Sequence, residues 1–167
     1  LPETNLRKKT VIVGTGYIAY VNDVSFGYTH QHVRNMLQLN NGNSTFSEIG
    51  QLAGVYQTEW SWSPLFADFD NDGFKDYLIT NGYRRDIKNN DWHTQLANIF
   101  TVATKETIRQ EVFDHLLKAE SNPVTNFIFK NTDGYHFEDK SEEWGFVDPS
   151  FSNGAAYADL DLDGDLD

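Results

Sequence analysis

A long internal repeat constrains this chain most. Sliding the sequence by 91 residues lays residues 35–76 on residues 126–167 without a gap. Asn35 falls on Asn126, Asn40 on Asn131, Phe46 on Phe137, Gly54 on Gly145 and Ala67 on Ala158. Apolar character is kept at Leu37/Ile128, Val55/Phe146, Trp60/Phe151 and Phe66/Tyr157. A fold of this chain must therefore accommodate one structural unit twice.

The order within each copy is readable. "NMLQLNNGNSTFSEI" and "NFIFKNTDGYHFEDK" each predict a strand, an Asn/Asp/Gly turn and a second strand. A looser segment follows. Then "SPLFADF" or "GAAYADL" predicts a strand running into an acidic loop, and "KDYLITNGY" a further strand after the first loop. Between the copies, "TQLANIFTVATKETIRQEVFDHLLKAE" carries Leu96, Ile99, Phe100, Ala103, Ile108, Val112, Phe113 and Leu116 at helical spacing. One long helix or two short ones are expected there, closed by "SNP" and packed as a decoration on the scaffold. Residues 5–33 are expected to be the equivalent insertion of the preceding unit.

This gives three segments. Residues 1–83 form a partial unit with an N-terminal insertion, a hairpin and the first acidic loop. Residues 84–125 form the helical insertion, and residues 126–167 the second unit, ending in the second loop. About four short strands per unit, repeated along the chain, fit β-propeller blades. The expected fold is mainly β, a partial propeller with a helical insertion. Roughly one and a half units are present, so the chain is expected to be a piece of a longer protein whose remaining blades complete the ring.

The acidic loops read D-x-D-x-D-G-x-x-D. Crowded aspartates repel one another, so a folded loop of this kind calls for a cation. Positions 1, 3 and 5 (Asp68, Asp70, Asp72; Asp159, Asp161, Asp163) supply carboxylates. Position 6 (Gly73, Gly164) turns the chain with a positive φ. Position 7 (Phe74, Asp165) offers its carbonyl, and position 9 (Asp76, Asp167) closes the shell. With a water this makes six or seven oxygens, which suits Ca²⁺. The absence of His and Cys from the set disfavours zinc and copper. The loop is not an EF-hand, because position 12 of the first copy is Ile79 within a strand pattern.

These stretches, "FADFDNDGFKDYLITNGY" and "PSFSNGAAYADLDLDGDLD", resemble FG-GAP/VCBS repeats, the calcium-loop blades of integrin-type propellers. "RNMLQLNNGNSTFSEIGQLAGV" is similar to the VCBS-repeat proteins of Bacteroidetes that often end in an ASPIC/UnbV domain, related to cartilage acidic protein. The resemblance implies a propeller of about seven blades, Ca²⁺ in the blade loops, and a place outside the cell or on the outer-membrane surface. It also implies adhesion or polymer binding, with the ten loop residues above as ligands.

Composition narrows the function further. A formal net charge of −12 argues against nucleic acid and against docking on anionic lipid. No apolar run reaches the ~20 residues of a membrane span. Zero cysteines remove disulfides, catalytic thiols and thiolate metal sites. No nucleophile elbow or metal–histidine set is present, and the best-clustered carboxylates are already assigned to a cation. The expected function is non-catalytic binding of a protein or glycan ligand. A propeller scaffold for a polysaccharide-acting enzyme and a structural spacer are the alternatives. "LPET" and "GTG" at 14–16 lack the context of a sorting signal or a nucleotide loop. His30 and His32 are two nitrogens without a third ligand, and Trp62 is freer than Trp60 to contact a ligand.

Overall fold

The computed structural model describes residues 17–30, 34–87, 90–121 and 123–166. The N-terminal "LPET", "GTG", His32 and Asp167 lie outside these. The chain divides into two units: Leu1–Val33 with Arg85–Asn122, and Arg34–Arg84 with Pro123–Asp167.

The second unit is built from β-structure. β1 (Gln38–Asn40) and β2 (Phe46–Glu48) form one antiparallel hairpin. β3 (Ser61–Ala67), β4 (Asp76–Asn81), β5 (Phe127–Asn131) and β6 (Phe137–Asp139) form a four-stranded antiparallel sheet in that order. The mainly β fold with helical insertions, of the kind expected for part of a propeller, is the fold found.

The repeat is visible bond by bond. β1 and β2 pair Gln38 with Glu48, Leu39 with Ser47 and Asn40 with Phe46. β5 and β6 pair Phe129 with Asp139, Lys130 with Glu138 and Asn131 with Phe137, each 91 residues on. The turns match too: Asn41 N–H donates to the Thr45 carbonyl, and Thr132 N–H to that of His136. The looser segment that follows is one helical turn with a glycine stop. In the first copy Val55 N–H reaches the Gly50 carbonyl and Gly54 N–H that of Gln51. In the second, Phe146 reaches Ser141 and Gly145 reaches Glu142. This is the Schellman pattern, which needs a positive φ at its stop. Gly54 (φ 82) and Gly145 (φ 83) supply it.

The core sits on one face of the sheet. Tyr77, Ile79 and Phe129 pack with Ala53 and Val55 from the helical turn, flanked by Leu37, Ile49, Phe127 and Phe137. Register explains the aromatic stacks. Tyr77 pairs across strands with both Phe66 and Phe129, and the rings stack at 4.7 and 6.0 Å. Every residue of β4 is buried, as befits an inner strand paired along both edges. β3 lies at the sheet edge, where Pro64 removes no ladder bond the sheet needs.

One strand expected from sequence is not formed. "GAAYADL" carries no strand pairing in the structure. Its counterpart β3 is a strand because the segment after its loop returns as β4 to pair with it. The second copy has no such partner among the described residues.

The other unit is helical where described. α1 spans Tyr17–Ser25, α2 Asn90–Val102 and α3 Ile108–Lys118. The insertion is thus two helices rather than one. Thr104 and Thr107 exchange backbone and hydroxyl hydrogen bonds across the break, and such side chains offer the backbone an alternative to the helix. His115 stacks on Trp92 at 4.8 Å and joins α3 to α2. Arg85 anchors the end of α3, donating to the Leu117 and Ala119 carbonyls.

Candidate metal centre

The first acidic loop bridges β3 and β4, so the sheet fixes both its ends. Asp68 sits just past Ala67, and Asp76 opens β4. Asp68 holds the loop's curl: its carboxylate accepts from Asp72 N–H at 3.1 Å and Gly73 N–H at 2.9 Å. Asp72 accepts from Phe74 N–H. Asp76 is fully buried and accepts from Phe69 N–H at 3.0 Å and Asn131 N–H at 2.9 Å. Asn131 also donates to the Lys75 carbonyl. The end of β5 therefore clamps the loop.

The second loop repeats two of these bonds, while its Asp163 N–H donates to Asp161. Gly164 N–H donates to Asp159 and Asp165 N–H to Asp163, as Gly73 does to Asp68 and Phe74 to Asp72. Positive φ values recur at Asn71 (58) and Leu162 (65), and at Gly73 (94) and Gly164 (102). The expected turn at position 6 is present. The second positive φ, at position 4, is a feature the spacing did not reveal. Asn71 was a local signal, since Asn tolerates this conformation; Leu162 carried none.

The carboxylates converge. In the first loop Asp68, Asp70 and Asp76 each bring an oxygen within 4.8 Å of the others. In the second, Asp159, Asp161 and Asp163 do so. Asp72 is not in the first set and Asp167 lies outside the described residues, so the two sets share positions 1 and 3 and differ in the third member. Phe74 and Asp165 stand at position 7, where the expectation needs only their carbonyls. These donors fit a hard, oxygen-seeking cation. The Asp159 Oδ1 atom is shielded from solvent and has no hydrogen-bond partner among the described residues. A buried carboxylate oxygen without a partner is costly, and a cation there would remove the cost.

Electrostatics set the two loops apart. Lys130 of β5 reaches into the first, donating to Asp70 and, at 2.7 Å, to Asp72. This contact holds Asp72 below the usual carboxylate range, aided by the Phe74 amide. The same pairing, first with Asp70 and then with Asp72, raises the Lys130 ammonium. Asp76 shifts upward, chiefly because it is buried. The Asn131 and Phe69 amides oppose that shift, and the charges of Asp70 and Asp72 add to it. Sequence reasoning missed Lys130, because its counterpart in the first copy is Leu39.

Other singled-out residues are placed as follows. His30 Nδ1 meets the Tyr20 hydroxyl at 2.6 Å. The Trp62 indole N–H donates to the Gly82 carbonyl. Trp60 stands edge-on to both Trp62 and Tyr83, at 6.5 and 5.9 Å. Both tryptophans remain partly exposed. No helix among the described residues is long and apolar enough to cross a membrane.

Residues 19–79 match the FG-GAP-like repeat family. The match contains the first hairpin, the first acidic loop and most of β4, and FG-GAP repeats commonly bind calcium. No curated protein and no solved structure matches the chain.

Proposed function

We propose that the chain is a calcium-dependent binding module of propeller type that works outside the cell, holding a protein or glycan ligand without catalysis. One observation carries the calcium reading. Two loops 91 residues apart share two internal hydrogen bonds and the same two positive-φ positions, and each gathers three carboxylates. Asp68, Asp70 and Asp76, with Asp72 and the Phe74 carbonyl, would hold one ion. Asp159, Asp161 and Asp163, with Asp167 and the Asp165 carbonyl, would hold the other. Bound Ca²⁺ would supply positive charge that cancels carboxylate repulsion and would rigidify the β3–β4 junction.

The loops serve architecture, so the ligand surface lies elsewhere. The Trp60, Trp62 and Tyr83 rings support a glycan-stacking patch. They gather where β3 begins, and two of them are partly exposed. The FG-GAP-like repeat supports an adhesion role outside the cell. Similarity to ASPIC/UnbV-containing proteins of Bacteroidetes is part of the same reading.

The test is thermal. Ca²⁺ at 100 times its Kd stabilises by about 2.7 kcal/mol per site, roughly 5–10 °C per site in a chain of this size and about twice that for both loops. EDTA should lower Tm by that amount and Ca²⁺ restore it. Asp68→Ala should lose the response at the first loop, whereas Asp148→Asn, at an exposed position outside both loops, should keep it. An unchanged Tm in metal-free protein would sink the calcium reading.

A further inference from the structure

Calcium at the first loop, as read above, would not meet a free set of carboxylates. Lys130 projects from β5, opposite Glu138 in the ladder, and its ammonium bridges Asp70 and Asp72. Its side chain is only 26% exposed. An ammonium takes the same ligand atoms as a metal ion, carboxylate oxygens, and carries one positive charge with three donors.

The repeat provides an internal comparison. The second loop gathers positions 1, 3 and 5, Asp159, Asp161 and Asp163. The first gathers positions 1, 3 and 9, and its position 5, Asp72, is held by Lys130 instead. The backbone frames agree, down to the paired glycine φ values. Position 9 of the second loop, Asp167, lies outside the described residues; at position 5 the difference lies in a side chain delivered from a neighbouring strand. The equivalent place on β1 is Leu39, so the lysine is particular to the hairpin that faces the first loop.

We propose that Lys130 is a built-in competitor for the cation at the first loop. It neutralises the loop when the metal is absent and must give up Asp70 and Asp72 when the metal binds. Two consequences follow from charge alone. The first loop binds Ca²⁺ more weakly than its ligand set would otherwise allow, because the metal displaces one cation and then sits near it. The metal-free loop is held folded by an internal ion pair, so calcium depletion relaxes the site without unravelling it. This inference rests on the calcium reading.

The experiment is calorimetric titration of Ca²⁺ into the whole chain carrying Asp161→Asn, which silences the second loop. Lys130→Met, which keeps the apolar stem, should tighten Kd about tenfold, equivalent to about 1.4 kcal/mol. In EDTA the same variant should melt below the Asp161→Asn parent, since the carboxylates lose the counter-charge that Lys130 supplies. Lys130→Arg keeps the charge and should keep the parent's weaker affinity. It serves as the check if Lys130→Met is too unstable in EDTA to compare. If Lys130→Met binds with an unchanged or weaker Kd while calcium still binds, the competitor role is overturned and the calcium reading stands. If no variant binds calcium, both fall.

Discussion

Leu162 and Asn71 occupy the same place in the two acidic loops, and both adopt a positive φ. Asn is at home there because its short polar side chain tolerates the left-handed region; a leucine pays about 1–2 kcal/mol for its Cβ. Leu162 is largely exposed and gains little packing in return. Leu162→Asn should therefore stabilise the chain by about 0.5–1 kcal/mol, read as a raised denaturant midpoint. An unchanged midpoint would show that the backbone strain is relieved elsewhere. A second residue-scale test lies in the β5–β6 turn. Hydrogen bonding to the His136 ring, with the Tyr135 and His136 amides, holds the Asp133 carboxyl down at about 2. The folded state thus prefers the ionised form more than the unfolded chain does. Its support of the turn is present above pH ~4 and is lost as pH falls through about 2. An NMR titration of the Asp133 carboxyl carbon should give that midpoint, and His136→Ala should move it upward.

Among the elements, the hairpins were the most legible in the sequence. Alternating apolar residues flanking Asn-, Asp- and Gly-rich turns sufficed, and the registers of β1–β2 and β5–β6 agree residue for residue. The acidic loop was legible in its spacing because alternating carboxylates and a turn glycine are local. What escaped was non-local. The clamp of Asn131 on Asp76 and Lys75, and the reach of Lys130 to Asp70 and Asp72, span more than 50 residues and depend on β5 pairing with β4. The strand expected at "GAAYADL" failed for a related reason: strand propensity does not make a strand without a neighbour. The junction after β4 gives a further test. Gly82 has φ +108, and a Cβ there would stand 2.8 Å from the Ser150 carbonyl, which belongs to the Val124–Ser150 bridge. Gly73 has φ +94 and open space around it. Both Gly→Ala changes should destabilise, Gly73→Ala by about 1–2 kcal/mol and Gly82→Ala by at least about 1 kcal/mol more for the clash. Equal losses in chemical denaturation would show that the bridge yields freely.

For the molecule as a whole, β-structure carries the repeat and helices the described part of the other unit. The polar joints of the repeat are duplicated with it. Asn35 donates to Thr58, which shares a hydrogen bond with Ser61, while Asn126, 91 residues on, donates to Ser152, the counterpart of Ser61. Such duplication marks a module built to be used in series, in keeping with the FG-GAP-like repeat matched at residues 19–79. Function was less legible than fold. Loop spacing points to a cation because ligand chemistry is local, whereas the proposed ring patch also needs Tyr83, which folding brings to Trp60 from more than 20 residues away. The most direct test of the calcium reading is the number of Ca²⁺ ions bound per chain, measured by isothermal titration of metal-free protein at neutral pH. Two ions are expected, falling to one on Asp68→Asn and to one on Asp159→Asn. A titration without binding heat, confirmed by equilibrium dialysis showing no bound calcium, would contradict it.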